Sequence, residues 1–215
     1  GHGPEPYLPC GHLPTFVQEH RGHTRNIKKN SGINLTPRRS GESFRSFIDF
    51  MESRIFTPCR IGPVELRNRV IRSAAFENMA YGNRPSKDLF DYHTAVARGG
   101  VGMTTVAYAA VSRSGLSFDG QLWMRKEIVP ELKKLTDSVH SYGAKASIQL
   151  GHCGNMTHRA TCGCMPVGAS SGFNLYSPTF VRALRRDEIY SLVDDFGNAV
   201  NLAREAGFDC VEIHA

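Results

Sequence analysis

The sequence predicts an α/β fold of parallel strands joined by helical crossovers, and three observations carry that expectation. From Met51 onward, short apolar runs alternate with longer segments whose apolar positions recur every three or four residues. Glycines stand where each helical period ends, at Gly99-Gly100, Gly143 and Gly207. The connections between apolar runs are long enough for crossover helices, which parallel neighbours need and hairpins do not.

Val70-Ile71-Arg72-Ser73-Ala74 reads as the first buried strand. Ser86 is placed to cap a helix over 87–98, with Leu89, Phe90, His93, Val96 and Ala97 near one face. The second strand follows over 101–106. A helix over 127–142 carries Ile128, Leu132, Leu135 and Val139, and 145–150 is the third strand. Residues 151–185 read as a long irregular loop. Asp187 and Glu188 then sit in the first turn of a third helix, where carboxylates complement the helix dipole. Its apolar stripe is Ile189, Leu192, Val193, Phe196, Val200 and Ala203, and Cys210 to Ile213 forms the fourth strand. His214 ends that strand. In a barrel of parallel strands, C-terminal strand ends carry the chemistry.

Composition bounds the function classes. With 215 residues, 40% hydrophobic and 21% charged, the chain can bury a core of its own. The net charge of +6 is spread without a long Lys/Arg run or an aromatic RNA-binding signature. A solvated basic surface is therefore the better reading than a nucleic-acid interface. No apolar run is long enough to span a membrane, and no apolar signal region opens the sequence. Six cysteines without a secretory cue read as reduced thiols in the cytoplasm.

Residues 1–50 differ from the rest. They are rich in Gly, Pro, His and Arg, have no sustained apolar period, and read as a disordered basic extension before a natural start at Met51. Glu5, Glu19, Glu42 and Asp49 weigh against a transit peptide.

Four segments, in order, resemble the Old Yellow Enzyme family of flavin-dependent NADH:flavin oxidoreductases and ene-reductases. They are Phe56-Thr57-Pro58 through Asn68-Arg69-Val70-Ile71-Arg72-Ser73-Ala74, Gly99-Gly100-Val101-Gly102, Gln149-Leu150-Gly151-His152-Cys153-Gly154, and Ala206-Gly207-Phe208-Asp209 through Glu212-Ile213-His214. The resemblance runs from Arg54 to Ala215. It implies a (β/α)8 TIM barrel holding FMN, of which residues 51–215 supply the N-terminal half, about four strands and three helices.

Roles follow by resemblance, position by position. Ser73, Ala74 and Ala75 are similar to the segment beside the flavin ring, and Ala107 and Tyr108 to the next flavin-lining pair. Gln149 resembles the amide that meets the flavin pyrimidine edge, where a group offering both donor and acceptor is needed. His214 resembles the first member of a His-x-x-His or His-x-x-Asn pair that binds a substrate carbonyl oxygen. The implied partners are NAD(P)H as reductant and a small α,β-unsaturated carbonyl or related acceptor, with self-association left open. Asn155 departs from the arginine usual after Gly154. The family's phosphate-binding loops and the pair's second member would fall beyond Ala215. A catalytically inactive fragment serving as a binding or structural remnant is accordingly the competing reading.

Blander readings stand beside these. Gln149 alone reads as a strand-end amide satisfied by its neighbours, His214 as a core histidine, and Ser73 as a small residue in a crowded interior. His152 reads as structural support for its loop. His152, Cys153, His158, Cys162 and Cys164 suggest zinc, but Cys162-Gly163-Cys164 has one intervening residue and no second Cys pair, so no metal is expected.

Overall fold

A computed structural model describes residues 53–214; the extension expected over 1–50 and the start at Met51 lie outside them. A hairpin of β1 (Cys59–Ile61) and β2 (Val64–Leu66) precedes β3 (Ile71–Arg72). A second hairpin, β4 (Ala80–Tyr81) with β5 (Arg84–Pro85), leads into α1 (Lys87–Arg98). Then come β6 (Met103–Ala110), β7 (Leu122–Trp123), α2 (Val129–Ser141) and β8 (Lys145–Gly151). A short α3 (Arg159–Cys162) and the strands β9 (Val167–Gly168), β10 (Gly172–Asn174) and β11 (Thr179–Ala183) follow. The chain closes with α4 (Arg186–Glu205) and β12 (Cys210–His214).

The main sheet runs β12-β8-β6-β3, all parallel, with β7 added beside β6. Spatial order follows chain order, so each crossover helix adds its strand to the same edge and packs on the same face. That face holds the core. Val106, Ala146, Ile148 and Leu150 meet Leu89 and Ala97 of α1, Leu132, Leu135 and Val139 of α2, and Ala199 and Ala203 of α4. Side chains alternate along a strand, so Ser147 and Gln149 point to the opposite, inner face.

Local chemistry explains the element ends. The Ser86 hydroxyl accepts from Leu89 N–H at 3.2 Å, as expected of an N-cap. Arg67 donates to the carbonyls of Ala97, Val101 and Tyr142 at 2.8, 3.0 and 2.6 Å. It thereby ties both helix C-termini to the entry of β6. Gly102 passes so close to Asn68 that an added Cβ would lie 2.4 Å from the Asn68 carbonyl oxygen. At the entry of β12, the Asp209 carboxylate accepts from Ala146 N–H at 2.9 Å and His140 Nε2 at 2.7 Å, and pairs with Lys145 Nζ at 2.9 Å.

Four expectations are corrected. The first strand is confined to Ile71–Arg72. Beyond it, side chains replace the backbone ladder: Arg72 takes the Thr105 carbonyl, and Glu77 Oε2 accepts from Ala107 N–H at 3.2 Å. The second strand runs to Ala110 and contains a bulge, for Val106 pairs Ile148 and Ala109 pairs Leu150. The region 151–185 holds a three-stranded sheet, β10-β11-β9, whose short strands leave little periodic signal. In α4, Ala199 and Ala203 are buried while Ile189 and Val193 are exposed.

Candidate active site

The bulge places the site. Between Val106 and Ala109, both Ala107 and Tyr108 lie opposite Gln149 of β8. An extra residue there bends the strand and re-aims its side chains, a device common beside binding sites. Next along the sheet, Glu212 of β12 is in register with Gln149, and His214 with Gly151. The C-terminal ends of three adjacent strands thus converge with the segment that leaves β3.

They enclose a cavity of about 220 Å³ lined by Ala74, Ala75, Phe76, Glu77, Ala107, Tyr108, Phe118, Gln149 and His214. Six of the seven residues singled out in the sequence fall in that lining. Ser73 does not: it is exposed and outside the cavity. Phe76, Glu77 and Phe118 were not anticipated. The Phe76 and Phe118 rings meet at 4.6 Å between centroids, tilted by 51°, giving the cavity an aromatic lip. The Phe76-Glu77 step was visible only as the continuation of an apolar run, so no local signal marked either side chain.

Each polar group has a defined environment. Gln149 Nε2 donates to Glu212 Oε1 at 2.6 Å, which orients the amide and leaves its oxygen and its second N–H to other partners. Ser117 N–H and hydroxyl both donate to Gln121 Oε1, at 2.8 and 3.1 Å. The Ser117 oxygen is therefore left to accept from the Tyr108 hydroxyl at 2.9 Å. Burial raises the Tyr108 phenol above its ordinary value, so it stays protonated with its hydrogen committed to Ser117. The Tyr108 and His214 rings lie 5.8 Å apart, tilted by 35°. Gly151 sits beneath them; a Cβ there would come within 3.1 Å of the Tyr108 ring and 3.4 Å of His214 Cβ. Only a glycine lets both rings face the cavity undisturbed.

Behind Ala107 lies a buried charge cluster. Glu77 Oε1 is 2.6 Å from Arg72 Nη1 and 3.1 Å from His93 Nε2, while Oε2 holds the Ala107 amide. The Glu77 and His93 side chains are 3% and 0% exposed. His93 Nδ1 in turn meets Thr104 Oγ1 at 2.8 Å, and the Arg72 guanidinium lies over the Tyr92 ring. A carboxylate this buried is tolerable only when so paired.

His152 stands apart from this cavity. Its Nδ1 accepts from Gly154 N–H at 3.0 Å, so the ring hydrogen sits on Nε2 and donates to Ser114 Oγ at 3.1 Å. Burial lowers its pKa and keeps it neutral. This is the environment of a loop support. His158 bonds Ser177 at 3.0 Å, and among the described residues no three His, Cys, Asp or Glu side chains converge as a metal would require.

A planar ring with hydrogen-bonding edges fits what is present. Ala74, Ala75 and Ala107 are small enough to let a flat system lie against backbone, and Gln149 offers both donor and acceptor. Residues 54–215 match the sequence model of the NADH:flavin oxidoreductase / NADH oxidase family. The 4,4'-dithiodibutanoate disulfide reductase of Rhodococcus erythropolis is 38% identical over 160 residues, covering 74% of this chain and 40% of the relative. An NADPH dehydrogenase of Listeria monocytogenes is 35% identical over 171 residues, covering 76% and 48%. Among solved structures, the old yellow enzyme homologue of Zymomonas mobilis superposes with a TM-score of 0.70 at 28% identity, covering 76% of this chain and 48% of that one. Morphinone reductase in complex with tetrahydroNAD gives 0.70 at 25% identity, covering 76% and 50%. The parallel sheet is thus a sector of a TIM barrel, and the chain spans less than half the length of the curated relatives it matches.

Proposed function

Because this chain belongs to the NADH:flavin oxidoreductase / NADH oxidase family, we propose that its cavity is one wall of an FMN site in an ene-reductase-type oxidoreductase. The observation that carries the reading is the convergence of Ala74, Ala75, Ala107, Tyr108, Gln149 and His214 on one cavity at the C-terminal strand ends. FMN bound there would supply hydride chemistry between NAD(P)H and an activated carbon–carbon double bond. The protein's share is positioning and electrostatics. The three alanines leave room for the ring to lie flat, with the preceding Ser73 in the same segment. The Gln149 amide, held by Glu212, meets the ring's polar edge and favours negative charge there. The His214 imidazole, kept over Gly151 beside Tyr108, donates to the carbonyl oxygen of the acceptor and draws electron density from its β-carbon.

The acceptor class we infer is a small α,β-unsaturated carbonyl, with a cytoplasmic setting that the reduced cysteines favour. Among the described residues no helix is long and apolar enough to cross a membrane. The exposed Ile189, Val193 and Ile213 offer apolar area to a self-association partner. The test is NADPH-dependent reduction of 2-cyclohexenone with FMN in excess. Turnover that falls about a hundredfold in His214→Ala is expected, the scale for losing one preorganised donor. Turnover indifferent to His214→Ala would refute the assignment. No turnover would favour the inactive-fragment reading for this polypeptide.

A further inference from the structure

Away from the flavin-type cavity, two thiols meet where the loop after β8 folds back on itself. Cys153, Cys162 and Cys164 are all free. Helix α3 ends at Cys162, and Gly163 follows in the left-handed region at φ +76°, which turns the chain so that the next thiol doubles back beside the first. Cys164 Sγ lies 3.8 Å from Cys162 Sγ and donates to it, while the Cys162 thiol donates to the Cys164 carbonyl at 3.2 Å. The Arg113 guanidinium packs on Gly163, where an added Cβ would be 3.1 Å from its Cζ.

The two sulfurs differ in access. Cys162 is 2% exposed. Cys164 lines a cavity of about 330 Å³ together with Ser114, His152, Arg182, Glu188 and Asp195. That asymmetry, one thiol at a cavity wall and one sheltered behind it, is the arrangement of an attacking and a resolving cysteine.

We propose that Cys164 and Cys162 form a dithiol–disulfide couple that exchanges with small disulfides entering this cavity. The Cys164 thiolate attacks one sulfur of a disulfide RS–SR, forming the mixed disulfide Cys164–S–SR and releasing RS⁻, which takes up the proton lost by Cys164. The Cys162 thiolate then attacks Cys164 Sγ, closing Cys162–Cys164 and releasing the second RS⁻, which takes the Cys162 proton. Two electrons pass from the cysteine pair to RS–SR, which is reduced to two thiols. Arg113 and Arg182 face Cys164 and favour its thiolate, but burial and the hydrogen bond to Cys162 outweigh them and raise its pKa. Exchange is therefore slow near neutrality and rises about tenfold per pH unit into the alkaline range, as the thiolate fraction does. Burial pushes the third thiol, Cys153, up to about 11, so it lags behind.

The test treats the full chain with oxidised glutathione at neutral and mildly alkaline pH, alkylates remaining thiols, and maps the peptides by mass. A Cys162–Cys164 disulfide that dithiothreitol reverses is expected, with Cys153 alkylated. Cys162→Ser should stop at glutathione on Cys164, and Cys164→Ser should leave Cys162 unmodified. Both cysteines alkylated after oxidation, a bridge to Cys153, or glutathione on Cys162 in Cys164→Ser would overturn the proposal. A circular-dichroism spectrum matching the untreated chain confirms that each variant is folded before it is scored.

Discussion

At the scale of single residues, Asp209 shows how one carboxylate fixes a strand entry. Burial works against its ionised form, but the Ala146 amide, His140 and Lys145 outweigh that and lower its pKa below the ordinary value of 3.8. A depressed folded-state pKa means that the unfolded chain binds the proton more readily. Its stabilisation is therefore fully present above about pH 4 and fades as pH falls through the folded value. Urea midpoints followed from neutral to strongly acidic pH should show this loss. Asp209→Asn should be less stable by about 1–3 kcal/mol at neutral pH and should show a shallower acid limb. An unchanged acid limb would remove Asp209 from the account. Capping residues such as Ser86 were legible because their partners lie within one turn. Glu77 was not, because the Ala107 amide it holds is thirty positions away in sequence.

At the scale of elements, the bulge in β6 decides what the sheet can bind. Without the extra residue, Ala107 or Tyr108 would turn toward the helices, and the cavity would lose a wall. Glu77 holds that geometry by accepting from Ala107 N–H, with the Arg72 guanidinium compensating its charge and His93 Nε2 3.1 Å away. Glu77→Ala strands the Arg72 guanidinium, the His93 ring nitrogen and the Ala107 amide, and a loss of about 3–5 kcal/mol is expected by denaturant titration. Glu77→Gln keeps an acceptor for the amide, so it should lose less and retain slow hydrogen exchange at Ala107. Equal losses in both variants, with exchange at Ala107 unchanged, would dissociate Glu77 from the bulge. The helices over 87–98 and 129–141 were readable from their apolar period, since each buries one stripe. The bulge was not, because an extra strand residue has no period of its own. The same holds for β9, β10 and β11, which are too short to show alternation.

At the scale of the whole molecule, the sheet is covered by helices on one face and presents polar and small residues on the other. Sequential parallel strands on a single edge generate that arrangement, and it sends every strand's C-terminal end to the same rim. Gln149 and His214 were legible as candidate site residues because both lie near a strand end at that rim. Their neighbours Gly151 and Glu212 gained meaning only from the register between β8 and β12. We propose that this rim binds a flavin ring against Ala74, Ala75, Ala107, Tyr108 and Gln149. The most direct test is an amide and side-chain NMR titration of the chain with FMN, which reports even weak binding. Saturable shifts confined to 73–77, 107–108, the Gln149 side chain and His214 are expected, diminished in Gln149→Leu. Shifts clustered elsewhere, or none at these positions up to the solubility of FMN, would contradict the proposal.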